Sequence, residues 1–250
     1  LATLVLGVGR GTQRWLDFGL FRFQPSELMK LAVPMMVAWY LHSRVLPPDW
    51  KSTAVSFGIL LVPTLLIYRQ PDLGTALLVA ASGIFTLYLA GLRWRVLFSF
   101  AGLAAAAAPV LWLVMKEYQR DRVRTFLNPE ADPLGHGWNI IQSKIAVGSG
   151  GLTGKGWLNG TQSNLEFIPE RHTDFILAVL SEEVGFIGVA VLMLCYMLII
   201  MRGLYIANLA RDTGSRLLAG ALSLTLFVYV LVNGGMVSGV LPVVGVPLPL

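Results

Sequence analysis

The sequence predicts an all-α integral membrane protein, a polytopic bundle of about six to seven helices with one large extracytoplasmic loop. Three observations carry this. Apolar residues make up 55% of the 250-residue chain and charged residues 13%, about half the charged share of a soluble domain. Apolar runs recur at the roughly 20-residue length that crosses the hydrocarbon core of a bilayer. Among the breaks between those runs, residues 116–173 form one loop far beyond the usual length of about 12–15 residues. A mean hydropathy of +0.67 agrees. The net charge of +5 does not point to nucleic acid, because the basic residues sit in short breaks and form neither stripe nor tail. The single cysteine, Cys195 within VLMLCYMLII, leaves no intrachain disulfide framework and no cysteine-based metal site.

Taken in order, LATLVLGVG (1–9) is too short to span and reads as the tail of a helix. The spans expected next are 25–43, 52–68, 73–91, 96–115, 174–201 and 217–237. The first carries Glu27 and Lys30 near its start, so its apolar part is short. The charge-free stretch 217–250 would be about 51 Å long as one helix, too long for a single crossing. Asn233-Gly234-Gly235 and the prolines at 242, 247 and 249 are expected to break it. Such backbone survives at membrane depth only beside protein or a water-filled cavity. Three segments result: helices with short loops over 1–115, the loop over 116–173, and helices ending in a Gly/Pro-broken stretch over 174–250. No internal repeat is visible. The chain opens without Met and stops inside an uncharged stretch, so it reads as the interior of a larger membrane protein.

Six crossings put 44–51, 92–95 and 202–216 on one side and 10–24, 69–72 and 116–173 on the other. The first group holds Arg44, Lys51, Arg93, Arg95, Arg202, Arg211 and Arg216; the short loops of the second hold Arg10, Arg14, Arg22 and Arg69. That bias favours the first group as cytoplasmic and turns the long loop outward. The loop contains Trp138, Ile140, Ile141 and Trp157, so order is expected rather than disorder. Its basic residues, Lys116, Arg120, Arg122, Arg124, Lys144, Lys155 and Arg171, suit an anionic ligand, or else a solvated cap.

Candidate chemistry lies at 142–175. Six glycines between 148 and 160 allow backbone amides to approach a ligand, and with Lys144 and Lys155 they would suit an anion nest. GSGGLTGKG lacks the spacing of a nucleotide P-loop. Glu166, Glu170, Arg171, His172 and Asp174 then fall within nine residues where the loop re-enters the bilayer. Asp174 or Thr173 there reads first as a helix cap. The other reading is a partly desolvated Asp174 acting as general base beside basic groups. Charges within spans are costly and usually face the bundle interior. Glu27 and Lys30 are spaced to pair, and Asp72 starts a span three residues after Arg69. Glu182 and Glu183 lie about 12 Å along the helix from Asp174. Each charged pair either locks helices together or serves a cavity. Histidines at 42, 136 and 172 are far apart, which argues against a zinc site.

Seven stretches carry a resemblance: RWLDFGLFRFQPSELMK (14–30), QPDLGTA (70–76), YQRDRV (118–123), NPEADPLG (128–135), IIQSKIAVGSGGLTGKGW (140–157), GTQSNLEFIPERHTDFI (160–176) and NGGMVSGVLPVVGVPLPL (233–250). Together they resemble the SEDS family (shape, elongation, division, sporulation), its RodA-like elongation branch above all. The resemblance implies a ten-helix fold with a large extracytoplasmic loop after the seventh helix. It also implies peptidoglycan glycosyltransfer, the polymerisation of lipid II into glycan strands for cell elongation and rod shape at the outer face of the bacterial cytoplasmic membrane. The family's essential aspartate falls on Asp174, which turns the bare-sequence preference for a cap toward a catalytic base. The buried charges of its QPSE motif fall on Glu27 and Lys30, as helpers beside Asp72. Lys144, Lys155 and Arg171 with Arg69 are the cations expected at a pyrophosphate leaving group. A divalent cation, Mg or Mn, would also suit that group, yet no ligand set for one is legible. The expected partners are lipid II, undecaprenyl-pyrophosphate-linked glycan, membrane lipids and a class B penicillin-binding protein. Two rival functions remain, a lipid II flippase built on broken helices and a scaffold for the transpeptidase.

Overall fold

A computed structural model of the chain describes residues 3, 15–17, 19, 22–115, 117–128, 137–164 and 173–249. Among them a short ribbon, β1 (Leu16–Asp17) and β2 (Arg22–Phe23), precedes nine helices. These are α1 (Pro25–His42), α2 (Trp50–Tyr68), α3 (Leu73–Leu89), α4 (Trp94–Val114), α5 (Glu117–Leu127), α6 (Trp138–Ser149), α7 (Thr161–Asn164), α8 (Ile176–Leu209) and α9 (Thr213–Val237). Of these, α2, α8 and α9 are long and apolar enough to cross a membrane. Their outward side chains include Val62, Leu194 and Leu231, all exposed and apolar. In water such a surface would aggregate; in lipid it is the stable one. The chain is a polytopic helical membrane protein.

The ribbon lies in the break expected at 10–24: Leu16 pairs with Phe23 and Asp17 with Arg22, while the Gly19 N–H donates to Asp17 Oδ1 at 2.8 Å. The six expected spans correspond to α1 to α4, α8 and α9, with two departures. Asn233-Gly234-Gly235 do not break their helix, which continues to Val237. A glycine within a helix costs only about 1 kcal/mol, and the Asn233 side chain bonds elsewhere. The break comes at Gly239, at φ 73°. Finally, α8 runs eight residues beyond its expected end but is interrupted at Gly185, with φ 68° and ψ −170°.

The chain forms two compact units, Leu1–Leu97 with Ile199–Leu226 and Phe98–Leu198 with Phe227–Leu250. In the first, α1, α2 and α3 pack together over Val33, Val37, Leu41, Leu60 and Val79, joined by Leu217 of α9. Close approach depends on small residues, as is usual between membrane helices: a Cβ at Gly83 would lie 2.8 Å from Leu60 Cβ. Buried hydroxyls return to their own helix, Ser56 to the Ser52 carbonyl and Thr86 to the Ser82 carbonyl. Pro25 occupies the first turn of α1, where its missing N–H is harmless. Asp49 caps α2 by accepting from Ser52 N–H at 3.0 Å. Donation from Ser52 holds the Asp49 carboxyl below its ordinary range.

The turns of this unit gather as the alternation of crossings requires. His42 Nδ1 accepts from Gly214 N–H at 3.2 Å, and a Cβ at Gly91 would lie 3.3 Å from Pro47. Residues 42–49, 91 and 214 therefore share one end. At the other, Gln24 Nε2 donates to Asp72 Oδ2 at 3.2 Å and Gln70 Nε2 to Thr3 Oγ1 at 2.5 Å.

In the second unit the described parts of the long loop are ordered. Arg120 donates to the carbonyls of Trp112 and Leu113, at 3.0 and 2.9 Å, satisfying acceptors that the end of α4 leaves open. It also pairs with Glu117 at 3.0 Å, while Arg124 pairs with Asp121 at 3.1 Å. Arg120, expected as part of an anionic-ligand surface or a solvated cap, thus holds α5 to the helix before it, while Arg124 pairs within α5. Lys116 and the Arg122 side chain lie outside the description.

Candidate active site at the loop-to-helix junction

The glycine-rich segment 150–162 is fastened to the interrupted part of α8. At Gly185 the helical ladder opens, and loop and helix exchange backbone bonds as neighbouring strands do. Lys155 N–H donates to Glu182 O and Gly156 N–H to Glu183 O, both at 3.0 Å. In return Phe186 N–H donates to Gly151 O at 2.9 Å and Ile187 N–H to Leu152 O at 3.1 Å. Only glycine fits at the contact. Gly185 and Gly154 both have positive φ, and a Cβ at Gly154 would lie 2.6 Å from Gly185 N.

Glu182, fully buried, completes the fastening. Its Oε1 accepts from Lys155 Nζ at 2.6 Å, Thr161 N–H at 2.8 Å and Thr161 Oγ1 at 2.8 Å. Gln162 N–H donates to Oε2 at 3.1 Å. A buried carboxylate is tolerable when it accepts this many bonds beside an opposite charge. The Lys155 ammonium, expected at the ligand, also reaches Thr161 Oγ1 at 2.9 Å. Its charge is thus balanced by the loop's own anchor.

Asp174 sits in the turn 173–175 that leads into α8. The first helical bonds of α8 return to the carbonyl of buried Phe175, so the cap position falls on Phe175. The Asp174 carbonyl accepts from Asn233 Nδ2 at 2.9 Å, and the same nitrogen donates to Val246 O at 2.7 Å. Asn233 thereby ties the turn to the unwound segment 238–249 that follows α9. That segment passes under the Asp174 carboxylate, since a Cβ at Gly245 would lie 3.3 Å from Oδ2. It also passes under Lys144, an exposed residue of α6 whose Nζ would lie 2.8 Å from a Cβ at Gly239. Ser143 Oγ donates to Val237 O at 3.0 Å and fixes α6 on the end of α9. Tyr196 OH donates to Pro249 O and holds the far end of the segment on α8. A carboxylate and an ammonium therefore border one irregular strip of backbone, of the kind that membrane proteins keep beside protein or a cavity.

The sequence reading takes Asn233 only as part of a helix break, although a carboxamide inside an apolar run is the signal for such a clamp. Its amide must turn NH2 toward two carbonyls, which leaves a buried Oδ1 with no hydrogen-bond partner among the described residues. Asn233→Leu is expected to strand both carbonyls, at about 1–3 kcal/mol each. The unfolding midpoint of the detergent-solubilised protein, followed by tryptophan fluorescence, should fall; an unchanged midpoint contradicts the clamp.

The other expected site residues lie in the first unit. Lys30 is buried and pairs with half-exposed Glu27 at 2.7 Å, one helical turn away as the spacing predicts. Asp72 is buried; it caps α3 by accepting from Thr75 N–H at 3.2 Å and receives Gln24 as well. Arg69 is exposed at the end of α2. Arg171, His172, Glu166 and Glu170 lie outside the described residues. Among those described, no three His, Cys, Asp or Glu side chains gather to hold a metal ion, so the donor set for a divalent cation is not found there.

Residues 1–250 match the family model FTSW_RODA_SPOVE, described as a cell cycle protein. The chain is similar to a peptidoglycan glycosyltransferase, MrdB of Escherichia coli K12, with 59% identity over 244 residues, 97% of this chain and 66% of that protein. It thus spans just under two thirds of that relative's length. Among solved structures, it superposes with a TM-score of 0.82 and 35% identity on a chain from work on polymerization and crosslinking by a peptidoglycan synthase complex, covering 99% of this chain and 69% of that one. A mutant of the rod shape determining protein RodA from Thermus thermophilus gives a TM-score of 0.67 at 29% identity, covering 99% of this chain and 65% of that one.

Proposed function

From a chain that belongs to the FtsW, RodA and SpoVE family of cell cycle proteins, we propose the activity of a peptidoglycan glycosyltransferase that polymerises lipid II into glycan strands for cell elongation and rod shape. The observation that supports it best is the position of Asp174. It is a partly exposed carboxylate in the turn that leads into α8, steadied through its backbone by Asn233 and sharing a backbone strip with Lys144.

The chemistry needs those two charges. The acceptor is the GlcNAc 4-hydroxyl of an incoming lipid II, a poor nucleophile until its proton is being removed. Asp174 takes that proton as the oxygen attacks the anomeric carbon of the growing strand. The bond from that carbon to the pyrophosphate oxygen breaks, and undecaprenyl pyrophosphate leaves with the bonding pair. One displacement inverts the anomeric carbon and needs a base on the attacking side, without a covalent enzyme intermediate. Lys144 is the first choice for the negative charge developing on the leaving group. Lys155 supports the loop through Glu182 and adds to the positive field, with Arg171 and Arg69 as further cations. As helpers, Asp72 ties the start of α3 to Gln24 before α1, and Glu27 balances buried Lys30 within α1. The lipid tails stay in the bilayer while the sugars react at its surface.

The charge distribution supports a multi-pass protein of the bacterial cytoplasmic membrane with residues 116–173 outside. The likeness to a synthase complex named for polymerization and crosslinking supports a crosslinking partner, a class B penicillin-binding protein. The test uses the full-length protein with that partner in liposomes supplied with fluorescent lipid II. A ladder of glycan strands is the expected product. Movement of lipid II across the bilayer with no polymer formed would contradict the enzyme and favour the flippase.

A further inference from the structure

Beyond the polymerising site, the end of the first unit at the α8–α9 turn has a pocket of about 390 Å³, lined by Arg202, Tyr205, Ile206, Arg211, Asp212 and Ser215 among others. Arg202, Tyr205, Ile206 and Leu209 recur at the spacing of one helix face. The Arg202 guanidinium lies over the Tyr205 ring, 5.4 Å from its centroid, and no ion pair to a carboxylate is found for Arg202 or Arg211 among the described residues. The pocket's one carboxylate is otherwise engaged: Asp212 Oδ2 accepts from Ser215 N–H at 2.7 Å and lies 3.8 Å from His42 Nδ1. That donation keeps the Asp212 carboxyl below its ordinary range, so the lining carries two positive charges against one negative.

We propose that this pocket binds the headgroup of an anionic phospholipid, with Arg202 and Arg211 on the phosphodiester and Tyr205 at the level of the interface. Depth along α8 favours a lipid over a soluble phosphate. Arg202 follows directly on the apolar run of α8, whereas Leu209 lies seven residues, about 10 Å, further along. The pocket therefore begins at the edge of the apolar run and extends through the whole headgroup layer, about 5–7 Å on each side of the bilayer. On the membrane side of Arg202, one turn back on the same face, Ile199 is exposed and apolar; an acyl chain lies along it. Basic pockets between membrane helices are where such headgroups bind, and the interfacial tyrosine is the usual companion.

The test is native mass spectrometry of the full-length protein titrated with phosphatidylglycerol, phosphatidylethanolamine or inorganic phosphate. Phosphatidylglycerol adducts are expected to exceed phosphatidylethanolamine adducts at least fivefold. They should fall at least fivefold in Arg202→Gln/Arg211→Gln and stay unchanged in Arg216→Ala, which removes a neighbouring charge outside the pocket. Millimolar phosphate should not displace them. Arg202→Lys/Arg211→Lys retains the charges and should retain the preference, which covers the case of a glutamine pair that fails to fold. Equal binding of the two lipids, equal loss in Arg216→Ala, loss of preference in the lysine pair, or displacement by phosphate alone would each overturn the proposal.

Discussion

Glu182→Ala is expected to release the segment 150–162 from α8 and to cost about 3–5 kcal/mol, the range for removing one partner of a buried, hydrogen-bonded charge pair. Four donor groups lose their acceptor at once: Lys155 Nζ, the Thr161 N–H and hydroxyl, and the Gln162 N–H. Of these Lys155 recovers best, since its side chain is 29% exposed and keeps Thr161. The two backbone donors are left pointing at the vacated buried position, at about 1–3 kcal/mol for each that stays unpaired. Glu182→Gln keeps one carbonyl acceptor but turns a second donor toward the others, so roughly half the loss is expected of it. Limited proteolysis and amide exchange over 150–162 are the readouts. Both should rise steeply in the alanine variant while protection of α2 and α3 stays as in wild type. Unchanged protection of the loop would mean that the backbone exchange around Gly185 suffices without the carboxylate.

Much of the helical plan was legible because it depends on one physical quantity, apolar length against bilayer thickness. Spans expected at 52–68 and 73–91 lie within two residues of α2 and α3. The grouping of turns into two ends followed from alternation alone, and the contacts of His42 with Gly214 and of Gln24 with Asp72 agree with it. The pairing of Glu27 with Lys30 was legible from their spacing.

What escaped the sequence depends on contacts between distant residues. Gly185 stands in an apolar helical run like any tolerated glycine, and nothing local says that the chain unwinds there to receive a loop from some thirty residues earlier. Glu182 reads as one of two adjacent acids until Thr161 and Gln162 are brought to it. Asn233 was misjudged for the opposite reason. Its neighbours Gly234 and Gly235 look like helix breakers, whereas the helix holds and the side chain does the tethering. Charge alone also does not tell that Lys155 meets a buried carboxylate or that Arg120 closes an open helix end.

Asp174→Asn is the second large effect and bears on the central claim, that one carboxylate at the loop-to-helix junction drives glycosyl transfer. General-base catalysis contributes about 10²- to 10⁴-fold, and an amide of nearly the same shape cannot accept the hydroxyl proton. The tether to Asn233 uses the Asp174 backbone carbonyl rather than its side chain. The turn should therefore survive the substitution, leaving fold and lipid II binding close to wild type. The decisive measurement is the initial rate of glycan-strand formation from fluorescent lipid II by the full-length protein and its partner, wild type beside Asp174→Asn, with lipid II binding measured on the same preparations. The account predicts a rate at least about a hundredfold lower with binding retained. Strand formation at the wild-type rate by a folded, lipid-II-binding Asp174→Asn protein would contradict it.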